Sequence, residues 1–194
     1  MNLQGKKVIL ASNSPRRREL LAGLDVEFSL DTRINFEETF PEDMPHSEVP
    51  AAMSLGKSLG FWRPLEKDEI LVTSDTMVLL DRLIMGKPHS REEAIGMLRS
   101  LSGRTHEVIT AVTVRDAGHC ETVSDTTLVT FRDLTEAEIE YYVDTCKPFD
   151  KAGAYGIQEW IGYAACTSIT GSFYNVMGFP VHKVYDELIK FAGY

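Results

Sequence analysis

Lys7-Val8-Ile9-Leu10-Ala11-Ser12-Asn13-Ser14-Pro15-Arg16-Arg17-Arg18-Glu19-Leu20-Leu21 carries the clearest structural signal in the chain. Residues 8–10 read as a short buried strand, and Ser14 followed by Pro15 reads as an N-cap with proline at the first helical position. A helix over 15–23 therefore starts where a strand ends. Its free N–H groups and positive dipole end point at whatever the arginines hold. Arg side chains add forked donors that match phosphate oxygens, so the ligand this junction suits is a polyphosphate. A solvated helix start whose arginines pair with nearby acids leaves the same pattern, and the chemistry elsewhere in the chain has to decide.

Working outward, 194 residues fit one domain, 1–194, with room for two lobes, and suffice to bury about 70% of the unfolded surface. Cys120, Cys146 and Cys166 are odd in number and widely spaced, which suggests neither a disulfide framework nor a zinc site and fits a reducing, cytoplasmic setting. The apolar run after the N-terminus is too short for a signal segment, and no window approaches a membrane span. A formal charge of −9 opposes nucleic-acid binding and makes any phosphate site a local positive island.

Helices are expected over 48–61, over 91–101 after a Ser90…Glu93 capping box, over 136–146 after Thr135…Glu138, and over 181–192 after Pro180. Residues 30–47 form a long acidic loop containing Glu37 and Glu38, of a length that is often functional. Strands are expected at 70–73, at 77–80 and 83–85 around an Asp81-Arg82 turn, and at 105–116 and 119–131 joined through Ala117-Gly118. Parallel crossovers alongside antiparallel hairpins point to a mixed α/β sheet with flanking helices; a plain doubly wound sheet ranks second.

Thr73-Ser74-Asp75-Thr76 follows an apolar run, which puts an acid and hydroxyls at the carboxyl end of a strand, where open α/β sheets bind ligands. A turn aspartate satisfying backbone N–H groups is the plainer reading. Lys87, in Gly86-Lys87-Pro88, ends the hairpin that Asp75 begins. Phe149-Asp150-Lys151-Ala152-Gly153-Ala154-Tyr155-Gly156-Ile157-Gln158 spaces small residues around one aromatic, either for close backbone approach to a ligand or as a tight structural loop. Gln158 brings an amide able to donate to and accept from a uracil-like edge. Glu159 adds negative charge beside it. Gly171-Ser172-Phe173-Tyr174-Asn175-Val176-Met177-Gly178-Phe179-Pro180 reads mainly as structural.

In order and spacing, Ser-Pro-Arg-Arg, Ser-Asp-Thr, Gly-Lys-Pro, Asp-Lys-Ala-Gly-Ala-Tyr-Gly-Ile-Gln and Gly-Ser-x-x-Asn-Val-x-Gly-x-Pro resemble the Maf family of nucleoside triphosphate pyrophosphatases over nearly the whole chain. The branch most resembled cleaves dTTP and UTP and accepts modified uridine triphosphates. The resemblance implies an elongated sheet with two lobes around a cleft, like inosine triphosphate pyrophosphatases. It implies Asp75 as catalytic acid, and Arg16, Thr76 and Gln158 at specificity positions. Ser12, Arg17, Lys57 and Lys87 fall at phosphate positions, and Glu38 with Asp75 at positions that hold Mg²⁺ or Mn²⁺. The chain departs from the family pattern at Thr73-Ser74, at Glu159-Trp160, and at Pro50, Gly56 and Gly60 in the second helix.

The reaction implied is attack of water on the α-phosphorus, releasing monophosphate and pyrophosphate, with the protein positioning groups and neutralising charge. The partner implied is the nucleotide alone, with a homodimer possible. Two other readings stand beside it: a nucleotide-binding regulator of septum formation, and a pyrophosphatase for inosine or xanthosine triphosphate.

Overall fold

The computed structural model describes residues 3–193. The elements run β1 (Lys7–Leu10), α1 (Pro15–Ala22), β2 (Phe28–Leu30), α2 (Val49–Leu59), β3 (Glu69–Leu80), β4 (Leu83–Met85), α3 (Arg91–Leu101), β5 (Thr105–Arg115), β6 (Cys120–Phe131), α4 (Glu136–Cys146), α5 (Trp160–Ala165), β7 (Cys166–Thr170), α6 (Phe173–Val176) and α7 (Val181–Phe191). Seven strands form one sheet in the order β2-β1-β3-β5-β6-β7, with β4 paired to β3 off that path. β1 is parallel to β2 and β3, whereas β4 runs antiparallel to β3 and β7 antiparallel to β6. The mixed α/β sheet expected from the sequence is what forms, and its antiparallel pairs exclude the plain doubly wound alternative.

Local chemistry explains most element ends. Ser14 caps α1, its hydroxyl accepting the Arg17 N–H, with Pro15 at the first helical position. Thr135 and Glu138 make a complete capping box on α4. On α3 only half of the expected box forms: Ser90 Oγ accepts the Glu93 N–H, but the Glu93 carboxylate takes the His89 N–H at 2.7 Å instead. The helix expected over 48–61 is shorter, because a single 3-10 turn, His46–Glu48, leads into α2 and Pro50 occupies its first turn.

Two strand expectations need correction. Residues 70–73 and 77–80 do not end and restart around the Asp75 segment. They belong to one twelve-residue strand, β3, and Asp75 lies inside it. Thr73 and Thr76 are β-branched, so the polar insertion still suits extended backbone. The short helices α5 and α6 and strand β7 carry too little periodicity to be picked out from sequence. The β5–β6 hairpin matches its expected limits to within a residue. Asp116 closes it, donating its N–H to His119 O at 2.9 Å and accepting the Gly118 and His119 N–H groups on its carboxylate.

Contacts divide the chain into two compact units. The first holds the residues up to Asp75, Thr110–Asp125 and the residues from Gly178 onward; the second holds Thr76–Ile109 and Thr126–Met177. β3, β5 and β6 each contribute residues to both. In the first, Ile9, Ala11, Phe61, Leu65 and Leu71 pack with Ile34. In the second, α3 and α4 close over β5 and β6 through Leu98, Leu101, Val108, Phe131, Ile139 and Tyr142. No described helix is long and apolar enough to cross a membrane.

Candidate functional site

In the first unit the fold brings the N-terminal motif and Asp75 to one place. β1 pairs with β3 only as far as Leu10 and Val72, and the Ala11 N–H closes that ladder on Val72 O. Beyond it the Ser74 carbonyl accepts from an Arg17 terminal nitrogen at 2.8 Å, while Arg17 Nε donates to Gly178 O at 2.9 Å. Arg17, expected on phosphate, thus spends two of its donors tying the start of α1 to the end of that ladder and to the turn before α7. Burial lowers its pKa to about 10, partly offset by Asp75, and leaves it cationic at neutral pH. Ser12, nearly buried, accepts the Ser14 N–H at 3.2 Å and so shapes the turn that aims the helix.

Lys57 and Asp75 form the centre of this unit's polar cluster. Lys57 Nζ lies 2.7 Å from Asp75 Oδ1 and 3.1 Å from Glu38 Oε1. Lys57 and Asp75 are largely buried, with side chains 15% and 19% exposed, whereas Glu38 is 63% exposed on the acidic loop. Gly56, one residue before Lys57, is where the Phe36 ring lies so close against α2 that a Cβ would overlap it. The glycine that weakens the helix therefore lets the loop carrying Glu38 sit down on α2. Among the expected residues of this unit, the structure gathers Glu38, Lys57 and Asp75 directly and ties Arg17 to the residue before Asp75.

Two carboxylates converging on one cation form a hard-oxygen pair of the kind Mg²⁺ uses, since that ion keeps waters and substrate phosphate oxygens for its remaining positions. No group of three or more His, Cys, Asp or Glu side chains is assembled for a metal among the described residues. The pair therefore fits an ion delivered with a polyphosphate better than a protein cage.

The second unit holds Thr76, Lys87 and Gln158. The β3–β4 ladder ends at Val78 and Met85, and Lys87 lies exposed just past it. The Gly86 carbonyl accepts the Gly153 N–H at 3.0 Å, which joins the Lys87 turn to the Gln158 loop. Gly153 has φ +69° and faces Val78 so closely that a Cβ would crowd it, so the small residues serve a tight structural loop. Gln158 Oε1 is enclosed without a hydrogen-bond partner among the described residues.

The Glu159 carboxylate is engaged within its own loop, where it shares Lys151 with Asp150. It accepts the Tyr142 hydroxyl proton in a short hydrogen bond and pairs with buried Lys151 at 3.1 Å. Tyr142 in turn accepts the Gly156 N–H at 3.0 Å, so Glu159 anchors the loop. Asn175 donates to Val108 O and Thr127 Oγ1, in keeping with a structural role for the last motif.

Sequence reading missed the hydroxyls behind the Lys57–Asp75 pair. Thr73 Oγ1 donates to Ser54 O at 2.8 Å, and Ser54 Oγ lies 3.3 Å from Thr73 O and 2.9 Å from Thr113 Oγ1. The available signal was spacing: Ser54 stands one helical turn before Lys57, and Thr73 two strand positions before Asp75.

A mixed α/β sheet with a lysine-bridged carboxylate pair beside a capped arginine helix defines the class. The family model described as Maf-like protein matches residues 7–191, and the chain belongs to that family. Among curated relatives, the dTTP/UTP pyrophosphatase of Phocaeicola vulgatus is 47% identical over 189 residues, covering 97% of this chain and 98% of that protein. The dTTP/UTP pyrophosphatase of Bacteroides thetaiotaomicron matches with the same identity and coverage, and that of Porphyromonas gingivalis is 45% identical over 193 residues, or 98% and 97% of the two chains.

Proposed function

We propose that this protein hydrolyses dTTP and UTP, together with modified uridine triphosphates, to the monophosphate and pyrophosphate. The observation that carries this reading is similarity at 47% identity across essentially the full length of chains named dTTP/UTP pyrophosphatase. The arrangement around Asp75 supports it.

Asp75 is the general base that takes the proton from the attacking water, and Lys57 holds its carboxylate oriented by the 2.7 Å hydrogen bond. The N–H groups at the start of α1, with Ser12 and Arg16, receive phosphate oxygens, while Arg17 fixes that helix start in place. Lys87 adds a cation for the leaving pyrophosphate. Gln158 reads the base: its enclosed Oε1 has no hydrogen-bond partner among the described residues and suits the N–H of a uracil or thymine edge. Thr76 completes base selection. Asp75 and Glu38 would hold Mg²⁺ or Mn²⁺, whose chemistry is to neutralise the triphosphate and stabilise charge on its oxygens. The three cysteines are unpaired thiols, which supports a cytoplasmic setting.

The test is a nucleotide panel with separate detection of pyrophosphate and orthophosphate. UTP and dTTP should yield pyrophosphate in Mg²⁺ or Mn²⁺, with EDTA abolishing the reaction. Orthophosphate as first product would place attack at the γ-phosphorus and overturn the assignment.

A further inference from the structure

The Lys57–Asp75 contact joins α2 to β3, so its geometry depends on where α2 sits on that strand. Residues i and i+3 share a helix face and residues i and i+2 share a strand face, so Ser54 lies beside Lys57 and Thr73 beside Asp75 across the same helix–strand contact. Those two earlier residues bond reciprocally. The Thr73 hydroxyl donates to the Ser54 carbonyl at 2.8 Å and the Ser54 hydroxyl to the Thr73 carbonyl at 3.3 Å.

Further hydroxyls stand behind them. Ser54 Oγ also lies 2.9 Å from Thr113 Oγ1, which lies 2.9 Å from Thr122 Oγ1, so the pair is backed by a run of hydroxyls. Ser54, Thr73 and Thr113 have no exposed surface. Apolar side chains could fill this space, but they would leave α2 free to slide; enclosed hydroxyls lose free energy in any setting that leaves them unbonded.

We propose that Ser54 and Thr73 are positioning residues: their reciprocal hydrogen bonds, backed by Thr113, set the register of α2 on β3 and thereby hold Lys57 Nζ against Asp75. The proposal rests on the reading of Asp75 as the general base, because its kinetic consequence follows from a displaced Lys57. A displacement of about 1 Å in such an assembly can cost about a hundredfold in rate.

Thr73→Val keeps the side-chain shape and removes the hydroxyl, and Thr73→Ser keeps the hydroxyl and removes the methyl. With UTP and pyrophosphate detection, Thr73→Val is expected to lower kcat by about tenfold or more with KM changed less than about twofold, and Thr73→Ser to restore kcat to within about twofold of wild type. Equal losses in both variants, or an unchanged kcat in Thr73→Val, overturn the proposal. Should Thr73→Val fail to fold, Ser54→Ala decides, since alanine suits a helix: a fall in kcat is expected and wild-type kcat overturns it. Acylation of Lys57 by an N-hydroxysuccinimide ester, read by peptide mass spectrometry, follows the pairing without substrate. It should speed up several-fold in Thr73→Val and not in Thr73→Ser, and unchanged labelling overturns the clamp. A wild-type protein that releases no pyrophosphate overturns the reaction instead, and the labelling then decides the clamp alone.

Discussion

At the scale of single residues, Asp75 and His106 have opposite surroundings. Asp75 faces an ammonium and stays partly open to solvent. Asp75→Asn keeps the shape and a hydrogen bond from Lys57 but removes the charge. Turnover should fall at least about a hundredfold, roughly 2.7 kcal/mol of transition-state stabilisation, while stability changes by on the order of 1 kcal/mol. Pyrophosphate release measured beside thermal melting checks this, and near-normal hydrolysis by the folded variant would remove Asp75 from the chemistry. His106 is buried on β5, edge-on to Phe131 and Tyr155, with Nε2 2.8 Å from the Tyr155 hydroxyl. Burial lowers its pKa to about 4. An unfolded histidine takes a proton near pH 6.5 and the folded one only near 4, so between those values the unfolded state binds more protons. Stability is therefore full above about pH 6.5 and falls by roughly 3 kcal/mol on acidification to about pH 4. Imidazole resonances of His106 should stay in their neutral positions at pH 6; a titration midpoint near 6.5 would refute the assignment.

At the scale of elements, α2 shows how a poor helix sequence can be the right one. Gly to Ala in an exposed helix interior usually stabilises by about 0.5–1 kcal/mol. In Gly56→Ala the added methyl meets the Phe36 ring, so the ring or the loop that carries it has to shift, and overpacking of this kind destabilises by about 1–3 kcal/mol. The variant should melt lower than wild type and lose activity; a higher Tm with full activity would show that Phe36 yields freely. The same element marks the limit of sequence reading. Caps at Ser14 and Thr135 are encoded within four residues and were legible. The pairing of Gly56 with Phe36 joins positions twenty apart, and nothing local in either announces it. β3 likewise read as two short strands, because its polar centre is stabilised by neighbours outside its own sequence.

At the scale of the whole molecule, a chain of net charge −9 carries 20 lysines and arginines, and Lys57 and the arginines at the start of α1 belong to the same unit. A ligand held there stabilises the folded state by mass action, by about 2.7 kcal/mol at a hundredfold excess over Kd, which for a chain of this size raises Tm by roughly 5–10 °C. An α,β-imido analogue of UTP with Mg²⁺ should produce that shift in wild type and much less in Gln158→Ala; equal shifts would show that Gln158 does not hold the base. The sequence by itself determined the mixed α/β class, the starts of α1, α3, α4 and α7 and the five motifs, because strand–turn–helix signals and residue order are local and survive in one dimension. Only the tertiary structure decided that Asp75 lies inside a strand, that Arg17 is engaged by backbone carbonyls, that Glu159 pairs with Lys151, and that Ser54 and Thr73 bond α2 to β3. Each of these depends on which distant groups meet a buried donor, acceptor or charge, and burial makes an unpartnered group costly, so most find a partner wherever in the chain it lies.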